Sequence, residues 1–459
     1  MADPLVYPPT PGERVARVLY CTLWFVATPV IAGYLLWRSR RQPAYRSGWA
    51  ERFLGHYACR PSSRCIWLHA VSVGETRAAV PLVEALQARY PGVAILVTNM
   101  TPTGRETASG LFGDRVEHAY LAYDYPHAVA AFFRHWRPLV GIVMETEVWP
   151  NLMQAAARAG TPMLLGNARL SAKSLVAARR WPALMRPAVR RFERILAQTD
   201  ADAKRFAILA QSEFDPVARA SIVTVGNVKF DSDVPPPQRE RAARFREWLA
   251  APADARPTRV FLFASTRDGE EAGIFDAWRR HGVASDDARV VLVVVPRHPQ
   301  RFDRVAEEAR ARGLVVQRRS DERAIAADVQ VWLGDSMGEL WAYYLAADLA
   351  YVGGSIVPLG GQNLIEAAAA GCPILIGRNT FNFTAASDEA VRAGAAVRVD
   401  DFDALIVTGL AIAGDAGRRG RMAEAGRTFA ASHRGATERS LAIIDGILAD
   451  RSKPLYAGS

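Results

Sequence analysis

Beyond residue 64 the chain alternates short, almost uninterrupted apolar runs with amphipathic stretches. "CIWLHAV", "GVAILVTN", "VEHAYLAY", "LVGIVME", "TPMLLGNA" and "RILAQT" read as strands buried on both faces. With helical patterns between most of them, they predict a parallel sheet wrapped by helices. Around Val225–Arg244 the pattern lapses into "VGNVKFDSDVPPPQRERAAR", where Pro235, Pro236 and Pro237 interrupt regular structure and read as an extended connector. The alternation then restarts with "RVFLFAST", "RVVLVVVPR", "LVVQRR", "VQVWLGD", "LAYVGGS", "PILIGR" and "AAVRV", a second doubly wound sheet. An alanine-rich amphipathic tail closes the chain.

Ahead of the first sheet lies a different pattern. From Val18 to Trp37, "VLYCTLWFVATPVIAGYLLW" is uncharged and long enough, as a helix, to cross a hydrocarbon core of about 30 Å. Arg38, Arg40, Arg41, Arg46 and Arg52 follow it, against Arg14 and Arg17 before it, so the positive-inside bias puts the sheet domains on the cytoplasmic side. A shorter apolar stretch and a small-residue cleavage site would mark a signal peptide, and neither is evident; a buried or interfacial helix is the plain alternative, since Pro29 and Gly33 would weaken an isolated span. The expected domains are therefore 1–45, anchor and basic flank; 46–232, first sheet domain; 233–245, Pro-rich linker; and 246–459, second sheet domain with the C-terminal helices.

Composition narrows the partners. Lys and Arg number 57 against 47 Asp and Glu, a net charge of +10 that favours an anionic partner. Cys21, Cys59, Cys65 and Cys372 have neither the number of a disulfide framework nor the spacing of a zinc site, and a reducing compartment is the simplest setting.

Polar residues just after apolar runs mark the ligand-facing edge of such sheets. In "HAVSVGETRAAVP" a strand ends near Gly74 and passes to a helix, the setting of a phosphate-cradling turn, yet the next residue is an anion, Glu75. "VGIVMETEVWPNL" carries Glu145 and Glu147 at another strand end, and carboxylates grouped with Glu75 would suit proton removal and stabilisation of a growing cation. "GNVKFD" adds Lys229, which on its own reads as an ordinary surface lysine. In the second half Gly353, Gly354, Gly360 and Gly361 precede a helix expected to open at Gln362 or Asn363, a phosphate site without the lysine of a P-loop. Glu366 falls on the same helical face as Asn363. Two more strand ends carry Pro296, Arg297 and His298, and then Met337, Gly338 and Glu339. A solvated turn or helix cap is the plain alternative for each.

Taken in order, "WLHAVSVGETRAAVPLVEAL", "TNMTPTGRETA", "YLAYDYPHAV", "METEVWPNL", "NARLS", "GNVKFD", "PRHPQRF", "GDSMGELW", "YVGGSIVPLGGQN" and "GRNTFNFT" resemble the 3-deoxy-D-manno-octulosonic acid (Kdo) transferases of lipopolysaccharide synthesis. The resemblance implies a GT-B glycosyltransferase: two Rossmann-like parallel-sheet domains facing a cleft, the first binding acceptor, the second nucleotide sugar. It implies transfer of Kdo from CMP-Kdo to a lipid A precursor with inversion, by a protein monotopic or anchored on the cytoplasmic face of a bacterial inner membrane, with phospholipid as a partner and no nucleic acid. Glu75 matches the general base, and Glu145 and Lys229 match residues that stabilise the transition state. Pro296, Arg297, Met337, Gly338, Glu339, Asn363, Leu364, Ile365 and Glu366 match the segments that contact CMP. Neither a metal nor a further cofactor is implied. Arg267, Gln362 and Leu364 depart from commoner residues of the family, which are His, His and Pro. Two other functions remain: a GT-B transferase using a UDP-sugar on a lipid-linked acceptor, and a non-catalytic membrane protein that binds the lipid A precursor.

Overall fold

The computed structural model describes residues 9–58, 61, 63–211, 221–250, 257–282 and 288–452. Its contacts divide the chain into two units, one made of Met1–Ser232 with Arg434–Ser459 and the other of Asp233–His433.

In the first unit seven parallel strands, β1 (Cys65–His69), β2 (Ala94–Asn99), β3 (Glu117–Tyr120), β4 (Val140–Met144), β5 (Met163–Ala168), β6 (Arg194–Ala197) and β7 (Ile222–Thr224), lie in the order β3-β2-β1-β4-β5-β6-β7. The short β7 has no long apolar run, and the sequence pattern misses it. Strand periodicity explains the continuous apolar runs: along β1, Cys65 and Trp67 join one core with Phe132, Phe133 and Trp136, while Ile66 and Leu68 join another on the opposite face. That second core includes Ala436, Leu441 and Ile444 of the last helix, Ala436–Ser452. The last helix thus completes the first unit, not the second as the expected 246–459 domain had it. Asp231 fixes its start by accepting from the Gly435 and Thr437 amides, both at 2.6 Å.

The second unit repeats the plan with β8 (Thr258–Thr266), β9 (Arg289–Pro296), β10 (Val316–Arg318), β11 (Val331–Leu333), β12 (Leu349–Val352), β13 (Ile374–Ile376) and β14 (Ala396–Arg398). They are parallel, in the order β10-β11-β9-β8-β12-β13-β14. Its core packs Phe261, Phe263, Leu292 and Val294 against Ile274, Phe275, Trp278 and Leu405. The expected extended linker is for the most part a helix, Pro236–Leu249. Pro236 and Pro237 occupy its first two positions, where backbone N–H groups have no intrahelical acceptor and proline costs nothing.

The N-terminal apolar segment forms one helix, Pro11–Ser39, long and apolar enough to cross a membrane. Thr10 and Glu13 form a capping box at its start. Arg52, counted above among the basic flank, is instead buried at 1% exposure, its guanidinium 3.9 Å from the centre of the Tyr120 ring. Cys21, Cys65 and Cys372 are free thiols, and Cys59 lies outside the described residues.

Candidate active site

Each sheet reverses its winding direction once, between β1 and β4 in the first unit and between β8 and β12 in the second. At such a switch point the loops leaving the two strands diverge and open a crevice at their carboxyl ends. Glu75 follows β1 and Glu145 follows β4; Arg267 follows β8 and the Gly353–Gly354 turn follows β12.

The Glu75 loop differs from the phosphate-cradle shape read from the sequence. Ser72 caps the helix Val73–Ala78, so Gly74 lies inside the first helical turn. Glu75 occupies the third position of that turn, and its carboxylate accepts the Val71 amide at 2.8 Å and the Ser72 hydroxyl at 3.2 Å. Burial, with the charges of Glu145 and Glu147 nearby, pushes its pKa up to about 7. A carboxylate poised there binds and releases protons at neutral pH, as a general base must.

Glu145, the residue after β4, lies in the left-handed region, φ 60°, a conformation costly for a residue with a side chain and common at functional sites. Its Oε1 accepts from Lys229 Nζ at 2.8 Å, with both side chains less than a fifth exposed. Lys229 is therefore no ordinary surface lysine. Glu147 is held by the Trp149 indole N–H at 2.8 Å, and burial raises its pKa.

Asn167, absent from the sequence candidates, sets the position of Lys229. It sits at φ 50° beside a register irregularity in β5, is 1% exposed, and accepts the Val228 amide on Oδ1 at 3.2 Å. Asparagine tolerates this backbone better than most residues, and its place in "NARLS" was the one available signal.

In the second unit a basic group gathers at the ends of β8 and β9. Arg267, Arg297 and Arg301 lie close enough to His298 to lower its pKa, after burial as the larger cause. Arg301 is already paired with the buried Glu271 at 2.7 Å. Pro296 is buried at the end of β9, and the Arg297 amide donates to Thr266 at 3.0 Å. Met337 is 51% exposed and Gly338 turns at φ 80°. Glu339, at 7% exposure, is paired with Arg241 at 3.1 Å and Arg319 at 2.7 Å. Those ion pairs hold the loop that carries Met337 and Gly338.

Much of the glycine-rich turn is closed on itself. The Gly354 amide donates to Glu270 Oε2 at 2.8 Å, that of Gly361 to Gly354 and that of Gln362 to Gly353. The following helix is one short turn, Ile365–Ala369, beginning later than the glycine pattern implied. Leu364 and Ile365 are each 1% exposed, so their side chains belong to the core and only their backbone can meet a ligand. Asn363 is tied to the helix start, accepting from the Ile365 amide at 3.1 Å and donating to Glu366 at 3.2 Å. The Asn363 and Leu364 amides donate to no group among the described residues. Arg267 and Gln362 side-chain atoms each come within 3.4 Å of where a Cβ on Gly354 would stand, so two of the residues that depart from the family pattern meet at this turn.

Residues 47–232 match the family model described as 3-deoxy-D-manno-octulosonic-acid transferase. The 3-deoxy-D-manno-octulosonic acid transferase of Bordetella pertussis is 41% identical over 91% of this chain and 96% of its own length. This chain belongs to the Kdo transferase family. The Haemophilus influenzae transferase is 35% identical over 93% of this chain and 98% of its own. Kdo transfer in lipopolysaccharide synthesis is the activity this membership carries, and the chain is a glycosyltransferase. Among solved structures, a glycosyltransferase from Rickettsia africae (TM-score 0.54, 13% identity) covers 84% of this chain with 99% of its own. A UDP-GlcNAc 2-epimerase from Neisseria meningitidis gives TM-score 0.54 at 13% identity, covering 84% of this chain and 100% of its own. At that identity the likeness shows the fold alone, the GT-B-like α/β class.

Proposed function

We propose that this Kdo transferase moves Kdo from CMP-Kdo to a lipid A precursor, with Glu75 as the general base. The acceptor hydroxyl attacks the anomeric carbon as its proton passes to a Glu75 oxygen. The bond from that carbon to the phosphate oxygen breaks, and CMP departs with the electron pair. Attack opposite the leaving group inverts the anomeric centre.

The observation that carries this reading is Glu75, with its pKa raised to about 7 at the first sheet's switch point. Glu145 faces the positive charge that grows on the sugar, and Lys229 pairs with it at 2.8 Å and so fixes its direction. On the donor side the Arg267 and Arg297 charges and the Asn363 and Leu364 amides are the groups suited to a phosphate diester. In this reading those cations and amides offset the charge of the departing CMP, and no metal ion takes part. The acceptor is lipid-borne, so we place the enzyme at the cytoplasmic face of the inner membrane, where its positive charge meets anionic phospholipid.

The decisive measurement is a mass spectrum after incubating the full chain with CMP-Kdo and tetraacylated lipid A precursor. Gain of one or more Kdo masses is expected, abolished in Glu75→Gln. A folded protein that adds no mass would overturn the reading, and thermal stabilisation by UDP but not CMP would favour a UDP-sugar donor.

A further inference from the structure

Glu270 and Glu271 open the helix Glu270–His281, and both are 0% exposed. A buried carboxylate is costly unless donors surround it, and these two draw their donors from the loops of three neighbouring strands. Glu271 accepts the Thr266 hydroxyl at 2.7 Å and a bidentate Arg301 at 2.7 and 2.8 Å, tying the end of β8 to the loop after β9.

Glu270 reaches the other way. Its Oε2 accepts the Arg267 amide at 2.9 Å, both oxygens accept the Gly354 amide, at 2.8 and 2.9 Å, and Oε1 accepts the Tyr351 hydroxyl at 2.6 Å. The Tyr351 oxygen itself accepts the Ile356 amide at 3.1 Å, so the phenol proton is turned towards Glu270. Burial pushes the Glu270 pKa up, and the phenol and the two amides oppose the rise.

This arrangement is more than a helix cap. Gly269, at the N-cap, offers no side chain, and the Glu270 carboxylate turns from its own helix to a loop 84 positions later. The two loops it joins leave β8 and β12, the strands between which the second sheet reverses its winding. They touch closely: a Cβ on Gly353 would stand 2.5 Å from the Ser265 carbonyl oxygen, so only glycine fits there. Beyond the turn the Gly361 and Gln362 amides return to the Gly354 and Gly353 carbonyls at 2.7 and 3.1 Å, and the Asn363 and Leu364 amides follow directly. One carboxylate therefore fixes the Arg267 backbone and, through the closed turn, the start of the segment that presents those two amides.

We propose that Glu270 is the positioning residue of the donor site, fastening the Arg267 loop to the glycine turn so that Arg267 and the Asn363 and Leu364 amides converge on the phosphate of CMP-Kdo. The inference rests on the donor reading above and adds the group that holds that site in shape. Glu270 itself touches no substrate, since its oxygens are taken by protein donors and its charge repels a phosphate. Glutamine at this position keeps the side-chain shape but sets an amide NH₂ against backbone N–H donors, so the fastening is lost.

The test separates the phosphate of the nucleotide from its base. CMP and cytidine would each be titrated by calorimetry into the full-length protein in detergent and into Glu270→Gln. The variant should bind CMP about tenfold more weakly, bind cytidine as the parent does, and keep the parent's KM for the lipid A precursor. Unchanged CMP affinity overturns the inference, and so does an equal loss for CMP and cytidine, the mark of a merely structural role. Action through Arg267 gives a second readout. Arg267→Met should weaken CMP binding, and adding Glu270→Gln to it should cost less than in the parent; fully additive losses overturn the inference. If Glu270→Gln does not fold, Tyr351→Phe decides, because it removes one donor from the same carboxylate. A loss of about threefold for CMP alone is then expected, and parental affinity overturns the inference. A parent protein that binds no CMP overturns the donor reading and this inference together, whereas CMP binding indifferent to Glu270 sinks the inference alone.

Discussion

Glu75 makes the residue-scale case because its partners explain its chemistry. Burial and two neighbouring carboxylates favour its neutral form, so kcat/KM should climb with pH up to about 7 and level off above it. Glu75→Gln should remove that limb and lower kcat by about 10²–10⁴-fold, checked by initial rates across pH 5–9. The stability sign follows from the same shift. The folded protein holds this proton more tightly than the unfolded chain, so the group's contribution is complete below the ordinary carboxylate pKa and is lost as pH rises through about 7. Melting curves of Glu75→Gln should lack that loss. Lys229→Met should move the acid limb of the activity profile to higher pH, because Glu145 loses the cation 2.8 Å away while its charge still bears on Glu75.

Elements were unevenly legible. Long runs such as "RVVLVVVPR" and "CIWLHAV" became central strands, since burial on both faces leaves no polar position to disguise them. The triple proline misled because proline breaks a helix interior yet suits its first turn, and the sequence pattern does not say which applies. Asn167, Glu145 and Ser265 all adopt positive φ at or just beyond strand ends, a strain imposed by what packs around them and unannounced by residue type. The last helix, Ala436–Ser452, reads as generic amphipathic tail, but Asp231 and the apolar side chains of the first unit claim it. Asp231→Ala should therefore lower stability by about 1 kcal/mol, measured as a fall in denaturation midpoint without change in slope.

At the scale of the whole molecule the chain leaves the first unit at Ser232 and returns to it at Arg434. Residues 233–433 expressed alone should unfold cooperatively on heating. Residues 9–433, lacking the last helix, should bind a hydrophobic dye and aggregate, because Leu441 and Ile444 leave a gap in a core that the first unit cannot close. Transfer in the presence of EDTA should match transfer without it if cations and backbone amides alone offset the leaving phosphate; loss of activity restored by a divalent ion would overturn that part of the mechanism.

Periodicity, flanking charge and the ordered motifs were enough, without coordinates, to settle two parallel-sheet halves, an apolar N-terminal helix and the family, because each is written in neighbouring residues. Tertiary structure alone decided that Glu75 lies within the electrostatic reach of Glu145, that Lys229 pairs with Glu145 across 84 positions, and that Glu339 pairs with Arg241 and Arg319. Those are relations between distant residues, and a carboxylate's pKa, partner and availability depend on what the fold brings beside it.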